Sequence, residues 1–399
     1  MSKRIGKNIF LLLLTVILLL LGVELLLRLL VHDVDEFLKP ARATAPGEFI
    51  PADGEETTAR YDPYLGWINR PGARGKLAGP DSSLTSVSIN SKGLRDREID
   101  YEKPPGVRRA IVLGDSFAWG YGLKTEERFS NILDEMFTET QVINMGVVGY
   151  STDQECLLFE REGVKYQPEL VILLIHDTDI FHNGLPANYG KKKPHFLLTG
   201  DNLNLRKIPV EAEKISRVRE EKGEGKKIPP LRYIKKRFLA RSRLYILISS
   251  RLKMMPPVKR LLVKLKLVEP SRSVRDDVLL TAAIVERLRD KAGETGAENL
   301  LVLLVPSKDV INYHLPQGSR SRRFRMKDTE IINREEAGRE LVRNLRQKGI
   351  VVIDLTPEFT EIAKGGEKLY FENDNHWNRK ANRIAAREIA SFMREAGFN

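Results

Sequence analysis

Two short segments far apart in the sequence carry the residues best suited to nucleophilic catalysis. Ser116 ends the segment Gly114-Asp115-Ser116, directly after a short apolar run, and His376 follows Asp374 by two positions near the end of the chain. A serine hydroxyl becomes a nucleophile when an imidazole takes its proton, and a carboxylate can orient that imidazole. If folding brings the two segments together, they predict acyl transfer through a serine ester. If it does not, Ser116 and His376 are helix-capping residues at ordinary turns.

The other histidines are weaker candidates for this chemistry. His195 and His314 lie in loop-like sequence without an obvious acidic partner, and His32 follows the apolar N-terminal segment. Four neighbouring residues could instead suggest a metal site: His176, Asp177, Asp179 and His182. Their order along the chain is unlike that of a closed zinc site. The sequence therefore predicts neither a metal nor a cofactor.

Apolar strands that alternate with helices must position these residues. The strand-like runs span 108–116, 141–151, 169–179, 299–307 and 350–356. The helix-like segments span 125–139, 152–165, 276–294, 328–348 and 378–396. This alternation predicts an α/β fold with a parallel sheet covered on both faces. Ligands of such sheets bind beyond the carboxyl ends of the strands, so we expect one crevice to collect Asp115, Ser116, Gly149, Thr178 and Asp179.

The order of these motifs resembles the SGNH (GDSL-type) hydrolase family. Gly-Asp-Ser follows the first strand, Asn144-x-Gly146-x-x-Gly149 follows the second, and Asp374-x-His376-Trp-Asn precedes the last helix. The lead-in segments 62–67 and 90–95 are similar to the membrane-anchored bacterial branch found with envelope polysaccharide machinery. The resemblance covers about residues 60–183 and 276–399. It implies a flavodoxin-like α/β/α sandwich around a five-stranded parallel sheet.

The resemblance also implies roles for individual residues. Ser116 matches the nucleophile, His376 the general base and Asp374 its partner, while the backbone N–H groups of Ser116 and Gly149 match two oxyanion donors. The family usually has Asn-Asp after the third strand, where this chain has Thr178-Asp179. The missing amide donor would have to be replaced by Thr178 or by a neighbour such as Asn183. Asp115 and Asp179 are further candidate supporting residues.

The N-terminal segment predicts a membrane anchor. Residues 9–31, Ile9 to Val31, would form a helix about 34 Å long, enough to cross a hydrocarbon core of about 30 Å. Three basic residues precede it, so the positive-inside rule places residues 1–8 in the cytoplasm and the rest of the chain outside. The alanine-rich stretch 41–45 lies too far beyond the apolar run for an ordinary signal-peptide cleavage site. We therefore expect a single-pass cell-membrane protein with an extracytoplasmic catalytic domain.

The positive charge is concentrated in one block. Between Glu224 and Glu269 there are fourteen basic residues and no acidic one, so removing them takes the net charge from +12 to −2. This distribution argues against a nucleic-acid partner. The block Lys226–Lys266 is either a basic amphipathic surface for anionic membranes or a solvated helical hairpin. It lies in an insertion, 184–275, within a predicted domain of residues 106–399, which a linker and a small β-rich lead-in precede at 32–105.

These features predict a serine esterase or O-acyltransferase that acts on ester-linked acyl groups. The expected substrates are acylated envelope or exopolysaccharide glycans, an expectation that rests on the branch resemblance and the anchor. One alternative is a phospholipid or lipid-ester hydrolase that docks through Lys226–Lys266. Another is a catalytically weak subunit that binds glycan or serves as a scaffold, which the threonine at position 178 suggests.

A single cysteine, Cys156, excludes an intrachain disulfide.

Overall fold

The computed structural model describes Thr15 and residues 49–52, 57–80, 84–212, 272–315 and 328–398. All of these except Thr15 belong to one compact unit, formed by Ala45–Lys214 and Arg272–Asn399. The predicted anchor Ile9–Val31, apart from Thr15, and the block Lys226–Lys266 lie outside the described residues. Within the described ranges, no helix has the length and apolar character needed to span a membrane.

A five-stranded parallel sheet forms the centre of this unit. Its strands are β6 Arg108–Leu113, β7 Thr140–Asn144, β8 Leu170–His176, β13 Asn299–Val305 and β14 Val351–Asp354. They lie in the order β14-β13-β8-β6-β7, and every neighbouring pair is parallel. Renumbered 1 to 5 along the chain, these strands have the 2-1-3-4-5 order of flavodoxin-like sheets. In that order, strand 2 lies on one side of strand 1 and strands 3 to 5 lie on the other, so the strand order reverses between strands 1 and 3. The predicted α/β fold with a five-stranded parallel sheet is confirmed.

Helices cover both faces of the sheet. Successive side chains of a strand point to opposite faces, so Leu173 of β8 lies in one apolar core and Leu174 in the other. The first core is completed by α3 Thr152–Arg161, α5 Val274–Glu294 and α7 Asp328–Gln347. The second is completed by α1 Ser116–Trp119, α2 Phe129–Met136, α8 Thr356–Lys364 and α9 Arg379–Glu395. Two shorter helices are α4 Asp179–His182 and α6 Lys308–Tyr313.

Small antiparallel elements surround the central sheet. A three-stranded sheet contains β1 Phe49–Pro51, β4 Arg74–Ala78 and β5 Leu84–Ser88, and a hairpin pairs β2 Ala59–Asp62 with β3 Gly66–Asn69. The described start of the predicted insertion contains two further hairpins. They pair β9 Ala187–Asn188 with β10 Lys191–Lys192, and β11 His195–Thr199 with β12 Asn202–Arg206.

Tertiary contacts interrupt the helix that the sequence predicts over 125–139. The structure has a 3-10 turn at Thr125–Glu127 and then α2, with Arg128 extended between them at φ −75° and ψ 143°. The Arg128 side chain is fully buried, and its guanidinium donates to the Arg95 carbonyl at 2.6 Å. Burial of this cation against a distant backbone group outweighs local helix propensity, because propensity differences are only tenths of a kcal/mol per residue. The short helices α6 and α8 and the hairpins after residue 186 were not predicted.

Candidate active site

Ser116 begins α1, directly after the tight turn that follows β6 and beside the point where the strand order reverses. The side chain of Asp115 caps α1 by accepting a hydrogen bond from the Phe117 N–H at 2.8 Å. A Cβ at Gly114 would lie 2.7 Å from Cβ of Ala118 and 3.1 Å from Cβ of Leu174, so glycine is needed for α1 to pack on β8. The Gly-Asp-Ser segment therefore places the serine at the first position of a short helix above the sheet.

His376 reaches Ser116 across 260 positions of sequence. The His376 Nε2 lies 2.7 Å from Ser116 Oγ, and its Nδ1 lies 2.5 Å from Asp374 Oδ1. The same carboxylate oxygen accepts from the His376 backbone N–H at 2.7 Å, which fixes the loop around the ring. Helix α9 is capped by Asn378, whose side chain accepts from two N–H groups of the first turn. His376 is therefore free of a capping role, and the structure assembles a hydroxyl, an imidazole and a carboxylate in hydrogen-bond reach.

Aromatic rings hold the imidazole in place. The ring of Phe117 lies 5.0 Å from that of His376, and the ring of Tyr121 lies 4.4 Å from it. Trp377 donates from Nε1 to the Phe117 carbonyl at 3.2 Å, which joins the histidine loop directly to the nucleophile helix. The Trp in the Asp-x-His-Trp-Asn segment thus connects the two halves of the site.

Lys308 holds the loop that carries Asp374 and His376. Its Nζ donates to the carbonyls of Phe371 at 2.7 Å, Glu372 at 2.8 Å and Asp374 at 3.1 Å. Burial lowers the pKa of Lys308, and the nearby negative charge of Asp374 opposes that shift. Sequence reasoning missed this residue, although its place directly after a buried strand, at the carboxyl edge of the sheet, was a usable signal.

The second motif packs the β7 loop against the nucleophile helix. Asn144 Nδ2 donates to the Ala118 carbonyl and to Ser130 Oγ, both at 2.7 Å, while its Oδ1 accepts from the Gly146 N–H at 2.9 Å. A Cβ at Gly146 would lie 2.5 Å from the Trp119 nitrogen. The Asn-x-Gly pattern thus has a packing reason, because any larger residue at 146 would push this loop away from α1.

Two backbone N–H groups are available for a developing oxyanion. Gly149 has φ +81°, a backbone conformation that glycine adopts without strain. In the part of the chain that the structure describes, no group accepts a hydrogen bond from the N–H of Ser116 or of Gly149. Such unpaired donors at a turn and a helix start suit the stabilisation of negative charge.

The lead-in buttresses both of these loops. Trp67 donates from Nε1 to the Val148 carbonyl at 3.0 Å, and Asn69 Nδ2 donates to the Gly146 carbonyl at 3.2 Å. Arg95 is buried and donates to carbonyls after α1, at 2.7 Å to Gly120 and 2.6 Å to Leu123. The segments 62–67 and 90–95 therefore support the backbone around the site.

The third motif presents Thr178 in contact with His176. The Thr178 Oγ1 lies 2.6 Å from His176 Nδ1, and the His176 ring stacks on Phe117 at 4.4 Å. Burial lowers the pKa of His176, so the ring is neutral at neutral pH. Asp177 Oδ1 lies 3.8 Å from the same Nδ1, which favours the tautomer with a proton there. In that tautomer His176 donates to Thr178, and the threonine hydroxyl keeps its own hydrogen for another acceptor.

Asp115 and Asp179 lie at this edge of the sheet as buried carboxyls. Asp179 Oδ2 accepts from the His176 backbone N–H at 2.9 Å, so it shapes the turn after β8. Burial, followed by the negative charge of Asp115, raises the pKa of Asp179 well above its ordinary value. Burial also raises the pKa of Asp115. Both residues have structural contacts that support the loops carrying Ser116 and Thr178.

The structure does not offer Asn183 as an oxyanion donor. Its side chain is fully buried, accepts from the Asp153 N–H at 3.1 Å and donates to Thr281 Oγ1 at 3.0 Å. These bonds tie the end of α4 to α3 and α5. Of the two candidates for the missing amide, only Thr178 retains a polar group that is not committed to such packing.

The remaining histidines have structural surroundings that differ from the sequence expectation. His314 has an acidic partner after all, since its Nε2 lies 3.1 Å from Glu335 Oε2. His195 is buried in the strand β11 and is not in a loop. Burial lowers the pKa of both His182 and His195 to about 4. Among the described residues, no group of three or more His, Cys, Asp or Glu side chains could hold a metal ion.

Part of the chain matches a known family. Residues 271–399, about a third of the chain, match the model described as ALGX: SGNH hydrolase-like domain, acetyltransferase AlgX. The matched region contains Asp374 and His376, whereas Ser116 and Gly149 lie outside it. No curated protein sequence matches the chain.

Solved structures resemble the chain weakly. A member of the lipolytic protein G-D-S-L family from Veillonella parvula is 12% identical, with 71% of this chain and 97% of that chain covered and a TM-score of 0.39. The acetyl xylan esterase AlAXEase is 11% identical over 71% of this chain and 98% of its own, with a TM-score of 0.38. A catalytic mutant of Axe2, an acetylxylan esterase from Geobacillus stearothermophilus, is 11% identical over 75% and 98%, with a TM-score of 0.37. With TM-scores this low, these likenesses carry no argument.

The family match thus shows that the C-terminal third of the chain is similar to an SGNH hydrolase-like domain. This agrees with the resemblance of its Asp374-x-His376 segment.

Proposed function

We propose that this protein is a serine esterase or O-acyltransferase that acts on ester-linked acyl groups. The observation that carries the proposal is the hydrogen-bonded series Ser116 Oγ, His376 Nε2, His376 Nδ1 and Asp374 Oδ1, with contacts of 2.7 and 2.5 Å. A hydroxyl, an imidazole and a carboxylate in this order are what a serine nucleophile requires.

The reaction runs in two steps. Ser116 Oγ attacks the ester carbonyl while His376 Nε2 takes its proton, and the tetrahedral species collapses as His376 returns that proton to the leaving alcohol. The acyl group is then bonded to Ser116. A water molecule, or a hydroxyl of an acceptor, attacks this ester with His376 again as base, which releases an acid or a transferred ester. Asp374 stabilises the imidazolium in both steps.

The oxyanion is stabilised by three donors in this proposal. Two are the N–H groups of Ser116 and Gly149, neither of which donates a hydrogen bond within the described part of the chain. The third is the Thr178 hydroxyl, which His176 Nδ1 holds at 2.6 Å. A single oxyanion donor is worth about 3–4 kcal/mol in the transition state, so the replacement of an amide by a hydroxyl matters for rate.

Acyl groups on envelope or exopolysaccharide glycans are the substrate class we favour. The match of residues 271–399 to a model whose description names an acetyltransferase supports an O-acyl substrate. The apolar segment Ile9–Val31 supports a membrane-anchored protein with its catalytic domain outside the cytoplasm. The lipid-ester alternative depends on Lys226–Lys266, which lies outside the described residues. The assembled triad favours an enzyme over a scaffold.

The nucleophile can be tested with the full chain in detergent micelles. We expect Ser116→Ala to abolish hydrolysis of p-nitrophenyl acetate and labelling by a fluorophosphonate probe, because Ser116 is the one serine among the described residues that bonds to His376. Ser151→Ala is the matched control, since Ser151 is also buried and bonds to Asp153 at 2.9 Å without contacting His376. Unchanged turnover in Ser116→Ala would remove this serine from the mechanism.

A further inference from the structure

The first hairpin of the predicted insertion carries a tyrosine in an unusual backbone conformation. Asn188 pairs with Lys191 in the ladder of β9 and β10, which leaves Tyr189 and Gly190 as a two-residue loop. Both loop residues have positive φ, +49° at Tyr189 and +77° at Gly190. Two successive positive φ values define a type I′ turn, which favours Asn-Gly because asparagine tolerates the left-handed region.

Tyrosine is a costly residue at this turn. A side chain with a Cβ is strained in the left-handed region, because the Cβ lies too close to the following carbonyl oxygen. Burial offsets this strain only in part, because 52% of Tyr189 is exposed. Strained backbone of this kind clusters at functional sites. The stability of the hairpin therefore does not explain the choice of tyrosine.

The hairpin is anchored to the loop that carries Gly149. Asn188 Nδ2 donates to the Gly149 carbonyl at 3.2 Å. Two atoms of the Tyr189 ring, Cδ2 and Cε2, lie 3.3 and 3.7 Å from the position that a Cβ on Gly149 would occupy. Lys193, directly after the hairpin, forms a fully buried ion pair with Asp153 at the start of α3. The ring is consequently held beside a proposed oxyanion donor, with half of its surface open to solvent.

We propose that Tyr189 forms a carbohydrate subsite, on which a sugar ring of an acylated glycan stacks while its ester reaches Ser116. This inference rests on the proposed function and deepens it by naming a residue that would recognise the glycan. The C–H face of a sugar ring packs on an aromatic face, and its hydroxyls need polar neighbours. The His182 ring lies 5.8 Å from the Tyr189 ring, and the ammonium of Lys191, in the same hairpin, lies 5.1 Å from the Trp67 ring. An imidazole and an ammonium near an exposed aromatic ring favour a sugar over an acyl chain or a lipid.

Tyr189→Asn is the informative variant, because it removes the ring and installs the residue that the turn prefers. We expect its melting temperature to equal or exceed that of the wild type. With acetylated xylo-oligosaccharides, kcat/KM should fall about tenfold, mainly through KM, because the aromatic face on which the sugar stacks is lost. Hydrolysis of p-nitrophenyl acetate, which has no sugar, should stay within about twofold of the wild type. Tyr189→Phe keeps the ring and should retain most of the glycan activity.

A binding measurement separates this proposal from the proposed reaction. In the Ser116→Ala background, calorimetric titration with the same oligosaccharides measures binding without turnover, and adding Tyr189→Asn should weaken it about tenfold. Three results would overturn the carbohydrate subsite. The first is that Ser116→Ala does not bind the oligosaccharides, and the second is that Tyr189→Asn in that background binds them equally well. The third is that Tyr189→Asn loses turnover equally on the oligosaccharides and on p-nitrophenyl acetate. A selective loss on p-nitrophenyl octanoate would assign the ring to an acyl chain instead and would equally overturn it. Failure of the proposed function would show differently, as Ser116-independent hydrolysis of p-nitrophenyl acetate.

Discussion

Replacing Lys308 by methionine tests whether the backbone around the triad is held by a single ammonium group. The substitution preserves the length of the side chain and removes three hydrogen bonds to carbonyls of the histidine loop. Two of the carbonyls belong to residues in contact with solvent, Phe371 and Glu372, so water can replace the lysine there. Asp374 is buried, and the loss of one hydrogen bond to a buried carbonyl costs about 1–3 kcal/mol.

The expected effect on activity is larger than the effect on stability. A displacement of about 1 Å in a catalytic group can cost on the order of 100-fold in rate. We therefore expect Lys308→Met to lower kcat on p-nitrophenyl acetate about 100-fold with little change in KM, and to lower the free energy of unfolding by about 2 kcal/mol. Lys308→Arg, which keeps several donors, should recover part of the lost kcat.

Lys368 provides a matched control near the same loop. Its side chain is 72% exposed and lies 3.5 Å from Glu372, a surface pair expected to contribute little. Lys368→Met should keep both kcat and stability, as measured by initial rates and by urea unfolding. A Lys308→Met protein that loses stability but keeps its kcat would refute the positioning role and leave Lys308 as a structural residue only.

Three further predictions concern residues around the site. Asp374→Asn should lower kcat on p-nitrophenyl acetate by about 10⁴-fold with the fold intact by circular dichroism, because an amide cannot stabilise the imidazolium; a loss below about tenfold would contradict the assigned role. Thr178→Val should lower kcat by about 10²-fold or more while Thr178→Ser retains most of it, and equal rates in all three proteins would exclude a threonine oxyanion donor. Burial, followed by the charges of Asp179 and Asp115, raises the pKa of Glu155 well above 4.5. The folded state therefore binds this proton more tightly than the unfolded chain, so the associated stability is complete below about pH 4.5 and declines as the pH rises through the native pKa. Glu155→Gln should accordingly be more stable relative to the wild type at pH 9 than at pH 5 in urea unfolding, and a difference independent of pH would contradict this reasoning.

Local pattern was enough to identify the elements that carry the site. Strand Leu170–His176 lies inside the predicted run 169–179, and helix Arg379–Glu395 inside the predicted segment 378–396. Such elements are readable because an uninterrupted apolar run and a 3.6-residue periodicity are properties of neighbouring residues. The turn that carries Ser116 could be predicted for the same reason, because the Asp115 side chain accepts from the N–H of Phe117, only two residues later.

Contacts between distant segments were not readable in this way. The sequence offered both Thr178 and Asn183 as replacements for the missing amide, and only packing showed that Asn183 is tied to Thr281. It placed His314 in a loop without an acid, whereas the fold brings Glu335 to it. Contacts of this kind depend on strand order and helix packing. A pattern of neighbouring residues contains no information about either, so these contacts could not be predicted from it.

The sequence by itself therefore determined which side chains are available for chemistry: a serine on a turn after a buried strand, and a histidine two residues after an aspartate. The tertiary structure alone decided that His376 Nε2 and Ser116 Oγ lie 2.7 Å apart, that Lys308 holds the loop carrying His376, and that Tyr189 lies beside Gly149. The physical reason is that residue type and spacing specify local conformation, whereas the distance between two loops is set by the sheet and helices that join them.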